Sequence, residues 1–203
     1  LYDFAESGTF PSVTSATITD VKVDKENSYE LTQDADNLFW NVSDGKTTEK
    51  ADTTKAGTVT SAVGSLAYDK FVDYNCTDDS KYGFDDPYAV ITVKYTEDEQ
   101  ETQTVEKTLT IYVGDETGDD RYVKVDDSKE VYTITKDSLT DILDSTMSDF
   151  YSMTVSYVSA NNLDSLEVQS ADGDHTINVV TETVKAEDED TTDTDSSDES
   201  SSD

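Results

Sequence analysis

The sequence predicts an α+β fold, mainly an antiparallel β-sheet with two packed helices. Short runs rich in Val, Ile, Thr and Tyr recur along the chain between turns rich in Asp, Gly and Lys, the pattern of hairpin-linked strands. Only two well-separated stretches carry apolar residues at helical spacing, too few for the strand–helix alternation of a doubly wound parallel sheet. At 203 residues the chain is long enough to bury a core without disulfides.

After an entry segment, residues 1–15, the predicted domain covers residues 16–185. Ala16 to Val23 alternates as a half-buried strand with Ile18, Val21 and Val23 inward, and a turn at Lys25-Glu26-Asn27 leads to its hairpin partner at Tyr29-Glu30-Leu31. Leu38 to Val42 is a third strand, with Trp40 as the candidate core anchor and Asp44-Gly45 as the turn after it. Between Asp52 and Lys70, Val59, Val63 and Leu66 recur at i, i+4 and i+7, which predicts a helix with one narrow apolar face; Gly57, Gly64 and several Thr leave its stability to packing. Further strands follow at Ala89–Tyr95, Thr104–Val113, Arg121–Val125 and Val131–Thr135. The second helix is expected over Lys136–Met147, with Leu139, Ile142, Leu143 and Met147 on one face and Thr135 or Asp137 as cap. Tyr151 to Val158 reads as a strand, and Leu163–Val168 and His175–Val180 as a pair around Ala171-Asp172-Gly173. Setting Ile18–Val23 beside Leu163–Val168 leaves two readings open, an internal duplication of one hairpin or a coincidence of antiparallel patterning.

The chain carries 47 acids against 14 Lys plus Arg, a formal charge of −33. Nucleic-acid binding requires clustered cations, so that class of partner is excluded. Residues 186–203 hold nine acids and no base, leaving 38 acids against 14 bases in the remainder, so the acidity belongs to the fold as well as to the tail. The tail offers nothing to bury and is expected to be disordered. Cys76 is the single cysteine, which rules out an intramolecular disulfide and a cysteine-based metal site. No stretch reaches the ~18–20 apolar residues of a membrane span, and Leu1-Tyr2-Asp3-Phe4 is not a signal peptide. The expectation is a piece of a longer protein whose anchor lies outside this chain.

One ordered series of motifs is more specific. Tyr82-Gly83-Phe84-Asp85-Asp86-Pro87 is followed by the strand Val90–Val93, then by a strand ending in Gly114-Asp115, then by Tyr122-Val123 and Val131-Tyr132. In physical terms the turn is structural: Gly83 permits a positive φ, and Pro87 sets the entry to an edge strand. The series resembles the bacterial family called domain of unknown function 4340, with Phe84 in place of the usual Leu. Trp40 and the Asp52–Lys70 helix also sit where that family places a Trp and a helix, so the resemblance covers most of Ile18 to Val180. It implies an extracytoplasmic domain, often behind an amino-terminal membrane anchor, and in some members an association with ABC-transporter systems. It brings no catalytic residues and no cofactor. Where other members continue with a second Trp-and-helix unit, the acidic segment stands here.

The remaining candidates have plain readings. His175, the only histidine, lies beside Asp172 and Asp174 and reads as an exposed turn residue, since a hydrolase dyad needs a nucleophile and a multi-histidine metal site needs partners. Asp115, Glu116, Asp119 and Asp120 crowd one turn, either as solvated acids or as Ca²⁺ ligands without the spacing of the known Asp-rich loop. Asp78, Asp79, Asp85 and Asp86 flank the Tyr-Gly-Phe turn without the split environments of a glycosidase pair. Tyr112, Tyr122 and Tyr132 fall in three successive strands and are expected to form a cross-strand row, packed in the sheet or exposed for contact. The glycosylation patterns at Asn41 and Asn75 read as chance. The absence of a catalytic constellation predicts a non-catalytic binding or assembly module whose partners are proteins; the family resemblance implies that it is extracytoplasmic, with transporter components among those partners, and a Ca²⁺-dependent adhesion domain and an unrecognised hydrolase are the alternatives.

Overall fold

The computed structural model describes residues 8–34, 39–98, 104–153, 165–170 and 173–178. The chain divides into two compact units, Leu1–Val155 and Ser156–Asp203. In the first unit the strands β1 (Ile18–Asp24), β2 (Tyr29–Gln33), β3 (Trp40–Ser43), β4 (Thr48–Ala51), β5 (Lys70–Asp73), β6 (Ala89–Asp98), β7 (Thr104–Thr117), β8 (Asp120–Val125) and β9 (Val131–Thr135) join in one sheet. Its order is β4-β3-β2-β1-β6-β7-β8-β9-β5, and every neighbouring pair is antiparallel. The chain thus has the α+β class that the sequence predicts.

Alternation along the strands separates the two faces. Val21 and Val23 of β1 pair with Val93 and Ile91 of β6, these with Leu109 and Ile111 of β7, and Ile111 and Val113 with Val125 and Val123 of β8, all buried. Helix α1 (Thr53–Gly64) adds the buried Ala56, Val59 and Val63 to this core, and α2 (Lys136–Leu143) adds Leu139, Ile142 and Leu143. Trp40 is buried in the same core, as expected of an anchor. The other face carries Lys22, Thr92, Lys94, Thr110 and their neighbours, largely polar and half-buried, as an antiparallel sheet with one wet side should.

Both helices start at polar caps. Asp52 accepts the amides of Thr54 and Lys55, and Thr135 accepts that of Ser138. At the far end of α2 the Tyr29 hydroxyl donates to the Ile142 carbonyl at 2.8 Å, and the Lys25 ammonium reaches the carbonyls of Leu143 and Ser145. These groups satisfy carbonyls that a helix end leaves open.

Several expectations change in the structure. The first helix ends at Gly64 rather than Lys70, and Leu66 is buried beyond its end. The second stops at Leu143; Thr146 and Asp149 cap each other into a separate 3-10 turn, Met147–Phe150, which still buries Met147 and Phe150. The entry segment is not separate from the domain: Phe10 and Val13 lie in the core, and the Gly8 amide donates to the Tyr132 hydroxyl at 2.8 Å. Strands β4 and β5 lie outside the predicted set: each has four residues, too few for a periodic pattern, and they are the two sheet edges, joined in sequence by α1. Of the strand expected at Tyr151–Val158, Tyr151 bridges to Ala51, while residues 154–158 lie outside the described residues.

In the second unit β10 (Ser165–Ser170) and β11 (Gly173–Asn178) form an antiparallel hairpin. His175 lies within β11 opposite Val168, not in a turn. Four residues separate β1 from β2, and two separate β10 from β11. The tail, residues 186–203, lies outside the described residues. Among the described residues no helix is long and apolar enough to cross a membrane.

Candidate functional site

The motif series converges at one end of the open face, where the segment between β5 and β6 folds over β7, β8 and β9. Asp78 caps a short 3-10 turn, Asp79–Lys81, by accepting the Ser80 amide. The Asp79 carbonyl then accepts the amides of Tyr82 and Phe84, closing the Tyr-Gly-Phe turn on itself. Gly83 has φ +77°, where a side chain is strained. Opposite it, β7 bulges against β8 between Val113 and Glu116, so Gly114-Asp115 stands out of the ladder. The Asp115 amide donates to the Tyr82 carbonyl at 2.9 Å. A Cβ on Gly114 would sit 2.0 Å from that same carbonyl oxygen. The two motifs are therefore halves of one clasp, and Gly114 is required by backbone touching backbone.

Side chains lock the clasp. The Tyr82 hydroxyl donates to Asp73 at 2.9 Å, and its ring meets Tyr122 edge-on at 4.9 Å. Tyr82, Phe84, Cys76 and Val131 form a small buried cluster against which Tyr112 and Tyr122 pack. Lys124 donates to Asp79 at 2.8 Å with its ammonium over the rings of Phe84 and Tyr112. On the far side of the bulge, Arg121 donates to the Gly114 carbonyl at 3.1 Å and to Glu116 at 2.7 Å, with its guanidinium stacked on Tyr88. The Asn75 amide and then the Tyr82 hydroxyl hold the Asp73 carboxyl below the usual carboxylate range, while burial raises the Tyr82 phenol.

A profile described as "Domain of unknown function (DUF4340)" matches residues 40–201, well over half of the chain. The chain belongs to that family. No curated protein and no solved structure matches it. The match begins at Trp40, so β1 and β2 lie before it, and it runs on through most of the acidic tail.

The DUF4340 motif residues are only partly brought together. Tyr82, Gly83, Phe84, Gly114, Asp115 and Tyr122 meet in the clasp. Val123 and Tyr132 point through the sheet into the helix-side core, where Tyr132 stacks on Tyr68 at 3.8 Å. The expected row of Tyr112, Tyr122 and Tyr132 is thus split between faces, because Tyr132 pairs with Val123 and not with Tyr122. Pro87 precedes β6, which is central between β1 and β7 and not an edge strand. Asp85 is exposed at the rim of an open cleft of about 730 Å³, lined also by Asp78, Asp79, Asp126, Asp127 and Lys124.

The crowded acids of the 115–120 turn do not converge. Glu116 is bound by Arg121 and Lys136, and Asp120 by Lys70 and the Thr133 hydroxyl. The Lys70 ammonium accordingly keeps the Asp120 carboxyl below its usual range. The sequence reading missed Asp73 and Lys124 as clasp residues. For Lys124 a signal existed: it shares strand parity with Tyr122, the face on which the turn packs.

Proposed function

We propose that this chain is a non-catalytic extracytoplasmic binding or assembly module of a bacterial envelope protein, accessory to an ABC-transporter system. The observation that carries this reading is the direction of the motif's polar atoms. The Tyr82 hydroxyl and carbonyl, the Asp79 carboxylate and the Asp115 amide are each turned onto another group of the clasp. That arrangement suits a scaffold holding a surface in shape, whereas group transfer needs a nucleophile beside a base with room for substrate. The family resemblance supports placement outside the cytoplasm through an anchor elsewhere in the protein, and the charge of −33 favours partners with basic surfaces. Fractionation of the full-length protein from its native cells tests the reading. Recovery with membranes, together with a co-purifying transporter component, is the expected result; recovery from cytosol alone with no partner overturns it.

A further inference from the structure

Strand β7 is longer than the neighbour that should cover it. It pairs with β6 along the whole of Thr104–Val113, but β8 reaches it only from Ile111 onward. The last rung is made by Asp126: its carboxylate accepts the Thr110 amide and its own amide donates to the Thr110 carbonyl, both at 2.8 Å. There φ is +48° and the chain turns away. Backbone groups alternate sides along an antiparallel strand. Since those of Thr110 face β8, those of Thr108, Glu106 and Thr104 face the same way, while Leu109, Lys107 and Val105 face β6. Among the described residues, these outward amides and carbonyls have no protein partner.

We infer that this stretch of β7 is a strand-addition site for an extended basic segment of a partner protein. The inference rests on the binding-module reading and gives it a place and a partner chemistry. An open ladder is a template for another strand, and the backbone protections of an edge are missing here. Residues 104–109 contain no proline, the pairing with β6 has no bulge, and Lys107 is held by Glu97 across the hairpin. Charge selects the occupant. A second copy paired antiparallel about Glu106 would set Glu106 against itself in a chain of charge −33, which disfavours it. A Lys or Arg opposite Glu106 is complementary, with Asp126 at the end of the track. On the other face the half-buried Val105 and the buried Leu109 favour an apolar neighbour. The segment therefore alternates basic and apolar residues.

The test uses the whole chain and the capped peptide Thr-Lys-Val-Lys-Val-Thr. Saturable amide shifts and slowed hydrogen exchange are expected at Thr104, Glu106 and Thr108. N-methylation at every second peptide nitrogen should abolish binding in one frame and spare it in the other, because only one set of amides meets the protein. Glu106→Lys should weaken binding about tenfold without changing Tm, and Thr108→Pro, which removes an outward amide that β6 does not use and also fixes φ there, should weaken it too. Shifts centred on the cleft at Asp78 and Asp126, indifference to N-methylation in both frames, or no shift at millimolar peptide would each overturn the inference. Peptide failure with membrane co-purification intact removes the edge site alone. Peptide binding by a protein found only in cytosol removes the envelope reading alone.

Discussion

The two faces of the sheet are held by different physics. On the helix side, Val, Ile and Leu from the strands interdigitate with two helices and a 3-10 turn, and many of these residues are wholly buried. On the other side polar residues pair laterally, as Lys94 does with the sheltered Asp20 at 2.8 Å, and the clasp end buries a small apolar cluster. The helix face is non-directional packing that tolerates exchange of similar volumes. The clasp is directional, because a carbonyl, an amide and two glycines must meet at fixed positions. Stability should therefore reside mostly on the first face and the shape of the family motif on the second.

The strongest way to break the comparison is in the core. Ile111→Ala, at a fully buried central position, should cost about 2–5 kcal/mol by urea unfolding. A loss comparable to that of a surface substitution would mean the helix face is not the stabilising one. Gly114→Ala comes next, at about 1–3 kcal/mol, since the new methyl must displace the Tyr82 carbonyl. Its signature is faster hydrogen exchange at Asp115 with the helix-side amides unchanged; uniform loss of protection would show that the two faces do not behave separately.

Acid should act on the ion-paired groups before the apolar core. Asp73 and Asp120 have depressed carboxyl pKa values in the folded chain. Their contribution is thus complete above the unfolded value of about 3.9 and is lost as pH falls through the lower folded values. Urea midpoints should show no slope from these groups between pH 7 and pH 5, and should fall below about pH 4. Tyr82→Phe should raise the Asp73 titration toward its ordinary range in a carboxyl NMR titration, because only the Asn75 amide and the weaker pull of Lys81 then hold it down. The smallest effect is expected on the open face away from the clasp. Lys22→Ala removes an ion pair to Asp24 in which both side chains are about half exposed, and should change stability by no more than about 0.5 kcal/mol.

What the chain's residues determined by themselves was local. The inward positions Ile18, Val21 and Val23, the cap at Thr135, offered beside Asp137, the buried Trp40 and the turn-forming Tyr82-Gly83-Phe84 were all legible, because alternation, capping and turn chemistry depend on neighbours in sequence. Tertiary structure decided what depends on register. Tyr112, Tyr122 and Tyr132 are evenly spaced in sequence, yet Tyr132 belongs to the core and the other two to the clasp, since the pairing of β8 with β9 and the bulge in β7 set which parity faces which side. Likewise Gly114 reads as an ordinary strand end until the Tyr82 carbonyl is brought against it by a turn that lies before β6. The four-residue strand β5 finds its partner only because α1 carries the chain from one edge of the sheet to the other. Of the two edge strands, β4 completes a hairpin with the adjacent β3, and β5 depends on the distant β9 for its hydrogen bonds.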